Sequence, residues 1–366
     1  MIRFLTKSLK SIEINTGLLG ELSKGVTLSD EDRQILARIM EALAGTGQLP
    51  FAWTPQEDNF LDLNPRDQWL PYILYRYKFK VYPAQRKAAA FPVYINVEPT
   101  SICNLRCTMC FQSDATFTTK ENMGMIELGF YRDLIDQAQA GGTKALTLAS
   151  RGEPTLHKDI GAMLQYATGK FFDLKLNTNA TRLTEKMSHE ILSSGVNELV
   201  FSVDAADKVL YEQIRVGGNF DDVLANIRRF HEIRAKHYAG SKLRTRVSGV
   251  MSRKDQNPDR FKDFWSAICD QVVAVRATQR WDTYRNPPLR DLVEPCILLW
   301  ERMHIWYDGQ ASPCDCDYKS ALAIGNVKEA GIAGVWRSAA FQKLREAHLS
   351  DRRTTCFPCD RCGMSS

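Results

Sequence analysis

The chain has 366 residues, 44% hydrophobic and 25% charged, a globular balance that excludes a disordered or fibrous protein. Its length predicts two or three domains with enough chain to bury real cores. Forty-eight Lys and Arg against 43 Asp and Glu leave a formal charge of +5, too mild an excess to name nucleic acid or an anionic membrane as partner. No stretch reaches the ~18 uninterrupted apolar residues of a membrane helix, and the first twenty residues lack the clean apolar run of a secretory signal. The expectation is a cytoplasmic protein. In that reducing setting, ten cysteines point to metal binding or chemistry before disulfides.

Residues 1–90 read as a helical N-terminal extension. Asp30 to Ala44 has helical spacing in Ile35, Leu36, Ile39, Met40 and Leu43, with Ser29 as N-cap and Gly45, Gly47 and Pro50 as stops. The aromatic-rich stretch Phe51 to Tyr82 reads as an irregular packing or lid element.

From Phe91 strands and helices alternate. Strands are expected at Val93–Val97, Ala145–Ala149, Leu174–Asn177, Glu198–Val203, Arg244–Met251 and Gln271–Val275, with helices between and after them. Six such βα units over 91–277 argue for a parallel sheet, either an open sheet or a curved partial barrel.

Residues 278–366 form a linker, containing Pro287 and Pro288, and a small cysteine-dense module that needs metal for stability. Met303 to Tyr307 reads as a strand followed by an Asp308-Gly309 turn. Val335 to His348 reads as one helix.

The cysteines fall in two groups. Cys103, Cys107 and Cys110 make a C-x3-C-x2-C loop directly after the first strand of the series. Four-iron clusters want four thiolates, and three leave one iron open to a small molecule. An open metal position marks reactive use. The alternatives are a structural zinc site or a redox cluster completed by a distant cysteine. In the last fifth of the chain, Cys296, Cys314, Cys356 and Cys359 offer a closed four-thiolate site that suits zinc and a four-iron cluster equally. Cys316 and Cys362 are possible alternate ligands, and Cys269 reads as a buried, inert thiol. The six histidines show no ligand spacing, and no P-loop, G-x-G-x-x-G, HExxH or GxSxG motif occurs. Nucleotide hydrolysis, hydride transfer and serine-hydrolase chemistry therefore fall back.

The first cysteine loop resembles that of radical S-adenosylmethionine (SAM) enzymes, and further motifs follow in the order that family has them. Arg151-Gly152-Glu153-Pro154 is similar to the family's GGEP turn, with Arg in place of the first Gly. Asn177 lies at a polar strand end, Ser202-Val203-Asp204 looks like an S-x-D element, and Arg215 resembles an arginine that pairs with the SAM carboxylate. Met109 stands where an aromatic residue is usual.

The resemblance implies a partial (β/α)6 TIM-like barrel that holds SAM at Met109, Gly152, Glu153, Pro154, Asn177, Ser202, Asp204 and Arg215. It implies cleavage of SAM to a 5′-deoxyadenosyl radical that takes hydrogen from a substrate C–H. The C-terminal module resembles the SPASM/twitch extensions of such enzymes, closest to the short form with one auxiliary cluster. Two [4Fe-4S] clusters follow, one catalytic and one auxiliary, with an electron donor such as flavodoxin or ferredoxin. The twitch likeness implies oxidation of an alcohol carbon in a sugar, cyclitol or polyol, with Asp315 as the base. The rival expectations are peptide modification and a non-catalytic iron–sulfur or zinc protein.

Overall fold

Buried parallel strands need apolar residues on the face that helices cover, and every expected strand between 91 and 277 has them. The computed structural model describes residues 3–4, 12–277 and 282–364, so the first four residues of the linker, 278–281, lie outside it. Strands β1 (Arg3–Phe4), β2 (Tyr94–Val97), β3 (Ala145–Leu148), β4 (Asp173–Thr178), β5 (Glu198–Ser202), β6 (Arg244–Met251), β7 (Gln271–Arg276), β8 (Arg302–Ile305) and β9 (Ala311–Ser312) form one sheet. Its order is β1-β7-β6-β5-β4-β3-β2-β8-β9. β2 to β8 run parallel, while β1 and β9 add antiparallel at the two ends. The sheet does not close, and the architecture is a partial barrel. The strand read near Met303 belongs to the C-terminal segment by sequence, yet it hydrogen-bonds to β2 of the barrel.

Ile95, Val97, Leu146, Leu148, Leu176 and Phe201 point outward and share one core with Tyr131, Met163, Ile191 and Ile227 of the covering helices. The opposite face is polar. In-register pairing sets His304, Asn96, Thr147, Lys175, Glu198 and Arg244 side by side across six strands. One pleat below, Tyr94 and Ala145 join a second core built by the N-terminal helices. The inner face is thus hydrophilic at mid-depth and closed beneath.

Helix α1 (Thr16–Leu22) precedes α2 (Asp30–Thr46), whose N-cap Ser29 accepts a hydrogen bond from Asp32 N at 3.1 Å. Gly47, at φ 70°, ends α2 in the left-handed conformation that glycine adopts without a Cβ penalty. The stretch read as irregular is instead two helices, α3 (Pro55–Leu63) and α4 (Trp69–Ala84). Pro55 opens α3 at a position where its missing N–H costs nothing, and Thr54 N donates to the Glu57 side chain at 2.8 Å. α4 hid its period because it is covered on most sides, with Leu70, Tyr72, Ile73, Leu74, Tyr75 and Tyr77 all buried. The helix read over Val335–His348 is also corrected, to two helices, Val327–Trp336 and Ala339–Leu349. Ser338 breaks the run by capping the second of them through Phe341 N at 3.1 Å.

A buried ion pair fixes α3 against α4. The Glu57 carboxylate, fully buried, meets Arg76 at 2.7 Å and Lys80 at 2.6 Å. Burial pushes its carboxyl up, but the two cations outweigh burial and hold it below the ordinary value. Glu57→Gln strands the Arg76 charge, so unfolding in denaturant at pH 7 should show a loss of about 3 kcal/mol. The lowered folded value makes the Glu57 contribution complete above about pH 4.3 and lost as pH falls through that lower value. In Glu57→Gln that part of the acid-dependent loss should be absent.

Candidate functional site

Ligands of open α/β folds bind beyond the carboxyl ends of the strands, and there the first cysteine group sits. The loop after β2 is pinned to the end of the helix Lys208–Ile214 by Arg106 N to Val216 O and Thr108 N to Ile214 O, both 2.9 Å. Cys107 is buried, while Cys103 and Cys110 are partly covered. Burial pushes the three thiols up, to about 11 for Cys103 and about 12 for Cys110, while Arg215 beside them draws each back. Such thiols stay protonated until a metal replaces their protons.

Arg215 extends inward and donates from Nε to Asp204 Oδ2 at 2.6 Å. Asp204 also accepts from Val250 N at 2.7 Å, which ties the ends of β5 and β6 together. With one donor on Asp204 and another directed at Cys107, the guanidinium keeps further N–H groups for an anion. Gly152 packs so closely on the cysteine loop that a Cβ would stand 2.2 Å from Thr100 O and 2.6 Å from Ile102 O.

Glu153 is buried, and its carboxylate is taken up by the chain itself. It accepts from Thr155 N and Oγ1, Thr178 Oγ1 and Asn179 N at 2.5–3.1 Å. That leaves the turn's backbone, with Pro154 buried behind it, to face a ligand. Met109 and Ser202 are half-buried at the same rim. Asn177 points into the barrel with its Oδ1 buried and unpaired.

Arg151, the departure from the family's turn, is directed away from the cysteines. It grips buried Glu98 through Nε at 2.6 Å and Nη2 at 2.7 Å, lies over the Trp306 ring at 4.2 Å, and donates to Tyr318 O at 2.9 Å. It therefore joins the turn to the C-terminal module. A second joint lies alongside. Asp114, just past Cys110, accepts from Tyr318 Oη at 2.8 Å and pairs with Lys319 at 2.6 Å, and Phe111 stacks on Tyr318 at 4.9 Å. These contacts hold the carboxyl of Asp114 well below its usual range against its burial. Sequence reading missed Asp114, Glu98 and Tyr318, and nothing local in the chain marks them.

In the C-terminal module the segment before β8, the loop after β9 and residues 353–362 bring Cys296, Cys314 and Cys359 into mutual electrostatic reach, with Cys356 next to Cys359. Cys316 and Cys362 enter the same cluster: Cys316 lies within hydrogen-bonding range of both Cys314 and Cys362. Asp315 is half-buried, with Oδ1 4.0 Å from Cys316 Sγ. Among the described residues no three His, Cys, Asp or Glu side chains converge closely enough to hold a single metal ion. The donor sets, all thiol, suit iron–sulfur clusters. Cys269 stands apart, buried, with its thiol pushed up to about 12 by burial.

Comparison with known proteins agrees with this geometry. Residues 97–243 match the Radical SAM superfamily and residues 296–363 match the SPASM iron–sulfur cluster-binding domain. The chain is 23% identical over 215 residues to mycofactocin maturase MftC of Mycolicibacterium smegmatis, covering 59% of this chain and 51% of that protein. It spans about half or less of the length of the curated relatives it matches first. Among solved structures it resembles Streptococcus suis SuiB bound to precursor peptide SuiA, with a TM-score of 0.58 at 15% identity over 93% of this chain and 89% of that one. It also resembles BtrN in complex with AdoMet and 2-DOIA, with a TM-score of 0.50 at 17% identity over 74% and 93%. These structural likenesses establish fold.

Residues 97–243 form a radical SAM domain and residues 296–363 a SPASM domain, and the two imply SAM and [4Fe-4S] clusters, catalytic and auxiliary, as cofactors. Gly152→Ala would force the backbone at Thr100–Ile102 apart. Iron per chain after anaerobic reconstitution should fall to the level of a Cys103→Ala protein, measured by iron and sulfide analysis.

Proposed function

We propose that the enzyme oxidises an alcohol carbon of a sugar, cyclitol or polyol. The observation that carries this reading is the polar inner face of the barrel. TIM-type lumens are filled with branched apolar side chains, whereas here six adjacent positions are His304, Asn96, Thr147, Lys175, Glu198 and Arg244. Asn96 Oδ1 and Asn177 Oδ1 are buried there without a partner. Buried polar atoms demand hydrogen bonds, and a hydroxylated molecule supplies both donors and acceptors.

Cys103, Cys107 and Cys110 would hold the catalytic cluster, and Cys296, Cys314, Cys356 and Cys359 the auxiliary one. Met109, the Gly152-Glu153-Pro154 backbone, Asn177, Ser202 and Arg215 would hold SAM, with Asp204 and the Glu153 carboxylate keeping Arg215 and the turn in place. The bound cofactors supply reductive SAM cleavage and hydrogen-atom abstraction. Asp315 would take the hydroxyl proton, and the bound cofactors would supply acceptance of the hydrogen atom and of the one remaining electron, which together balance a two-electron oxidation to the carbonyl. Flavodoxin or ferredoxin would return electrons.

A second reading, peptide modification, draws on the likeness to the mycofactocin maturase and to SuiB, whose structure carries a precursor peptide.

The reconstituted enzyme with dithionite and SAM should release 5′-deoxyadenosine, faster with polyols than with peptides, and form a carbonyl product seen by mass spectrometry as a loss of two hydrogens. Stimulation by peptides alone would overturn the alcohol reading. Alanine at Cys296, Cys314, Cys356 or Cys359 should remove auxiliary iron, and alanine at Cys316 or Cys362 should not. Asp315→Asn should lower carbonyl formation at least about 100-fold with SAM cleavage retained.

A further inference from the structure

Beneath the polar layer, the inner face opens into a cavity of about 150 Å³. Its upper wall is Thr147, Lys175, Glu198 and Arg244, and its floor is Asp173 at the start of β4 with Tyr75 and Arg76 of α4. At roughly 10–15 Å³ per water it has room for a carboxylate or phosphate group with its hydration. The N-terminal helices therefore do more than cap the barrel, because α4 supplies part of the wall.

The charges around this space do not cancel. Glu198 is shared by Lys175 at 2.9 Å and Arg246 at 3.1 Å. Arg76 is held by Glu57 and lies 3.9 Å from Asp173, whose carboxylate accepts from Tyr75 Oη at 2.9 Å. Arg244 lies within the electrostatic reach of Glu198 but forms no ion pair with it among the described residues. Among the groups that line the cavity, three cations, Arg76, Lys175 and Arg244, thus face two carboxylates, Asp173 and Glu198. One guanidinium nitrogen of the lining, Arg76 Nε, is buried with no hydrogen-bond partner. An unpaired buried donor beside a cationic space is what a bound anion satisfies.

Depth fits the same picture. Asn179 stands at the mouth, where its side chain donates to Asn104 of the cysteine loop at 3.0 Å. Lys175 lies four residues down the same strand line, about 13 Å lower at ~3.3 Å per residue. A molecule of two sugar rings bridges that distance.

We propose that the substrate of this enzyme is a polyhydroxylated anion whose carboxylate or phosphate seats on Lys175 and Arg244, above a floor made by helix α4. This rests on the alcohol-oxidation reading and adds the charge of the substrate and the part played by the N-terminal helices. The hydroxylated end then extends toward the cysteine mouth, where the reacting carbon lies.

The test compares three probes on the reconstituted holoenzyme: glucuronate, glucose 6-phosphate and neutral glucose. Binding is read as the shift in melting temperature with ligand concentration, and 5′-deoxyadenosine release is followed in parallel. One or both anions should bind at least tenfold more tightly than glucose, and the stronger of the two names the anionic group. Lys175→Gln should reduce that preference to within twofold, and Lys175→Arg should retain it. Should Lys175→Gln fail to take up iron, Arg244→Gln is read in its place, since its removal strands no carboxylate. Equal binding of glucose and the anions, no binding by either anion, or an anion preference unchanged by the substitutions would overturn the anionic seat. Failure of the wild-type enzyme to release 5′-deoxyadenosine at all, or release stimulated by peptides alone, would instead overturn the reading on which it rests.

Discussion

Buried Glu98 is the point on which the catalytic end of this molecule depends. It follows β2 directly, its own N–H donates to Ile305 of β8 at 2.9 Å, and its carboxylate takes a two-pronged grip from Arg151. A bidentate guanidinium–carboxylate pair defines orientation as well as energy. Being fully covered, it tolerates no loss of one partner. Through it the cysteine loop, the Gly-Glu-Pro turn and the C-terminal module share one anchor. Arg151 reaches Tyr318 from the same grip, and Tyr318 reaches Asp114 beyond Cys110. Two thiol clusters far apart in the chain are thereby held in a fixed relation.

The second constraint is the inversion of polarity across the sheet. Parallel pairing in register places identical pleat positions of six strands in one row, so a choice of residue repeated along the sequence becomes a surface. Outward rows are Leu, Ile, Val and Phe packed under helices, whereas the inward row is polar from His304 to Arg244. An interior of this kind is unstable unless water or a ligand completes its hydrogen bonds. The N-terminal helices seal the lower end, where Tyr94 and Ala145 join their core. The opening that remains faces the cysteines.

Much of this was readable in the chain. Helix α2, strands β3 to β7 and both thiol groups follow from local pattern, because capping residues, period-two or continuous apolar runs and cysteine spacing act over a few residues. Helices α3 and α4 were not, since a helix covered on most sides loses its polar stripe. The break at Ser338 was missed because apolar residues on either side kept a helical spacing through it. The alternation Lys175-Leu176-Asn177 and Arg244-Thr245-Arg246 was visible, but its meaning was not, because alternation does not say which face a neighbouring strand shares.

By itself, the sequence determined the chemistry class: three thiols after a strand, a Gly-Glu-Pro turn and a late thiol cluster are local patterns whose geometry travels with them. Only the tertiary structure decided what those groups face. The joining of β8 to β2, the grip of Arg151 on Glu98, the anchoring of Asp114 by Tyr318 and Lys319, and the charged chamber floored by α4 all unite residues from 53 to more than 200 positions apart. Such contacts arise from packing and strand register, which no short window of sequence encodes.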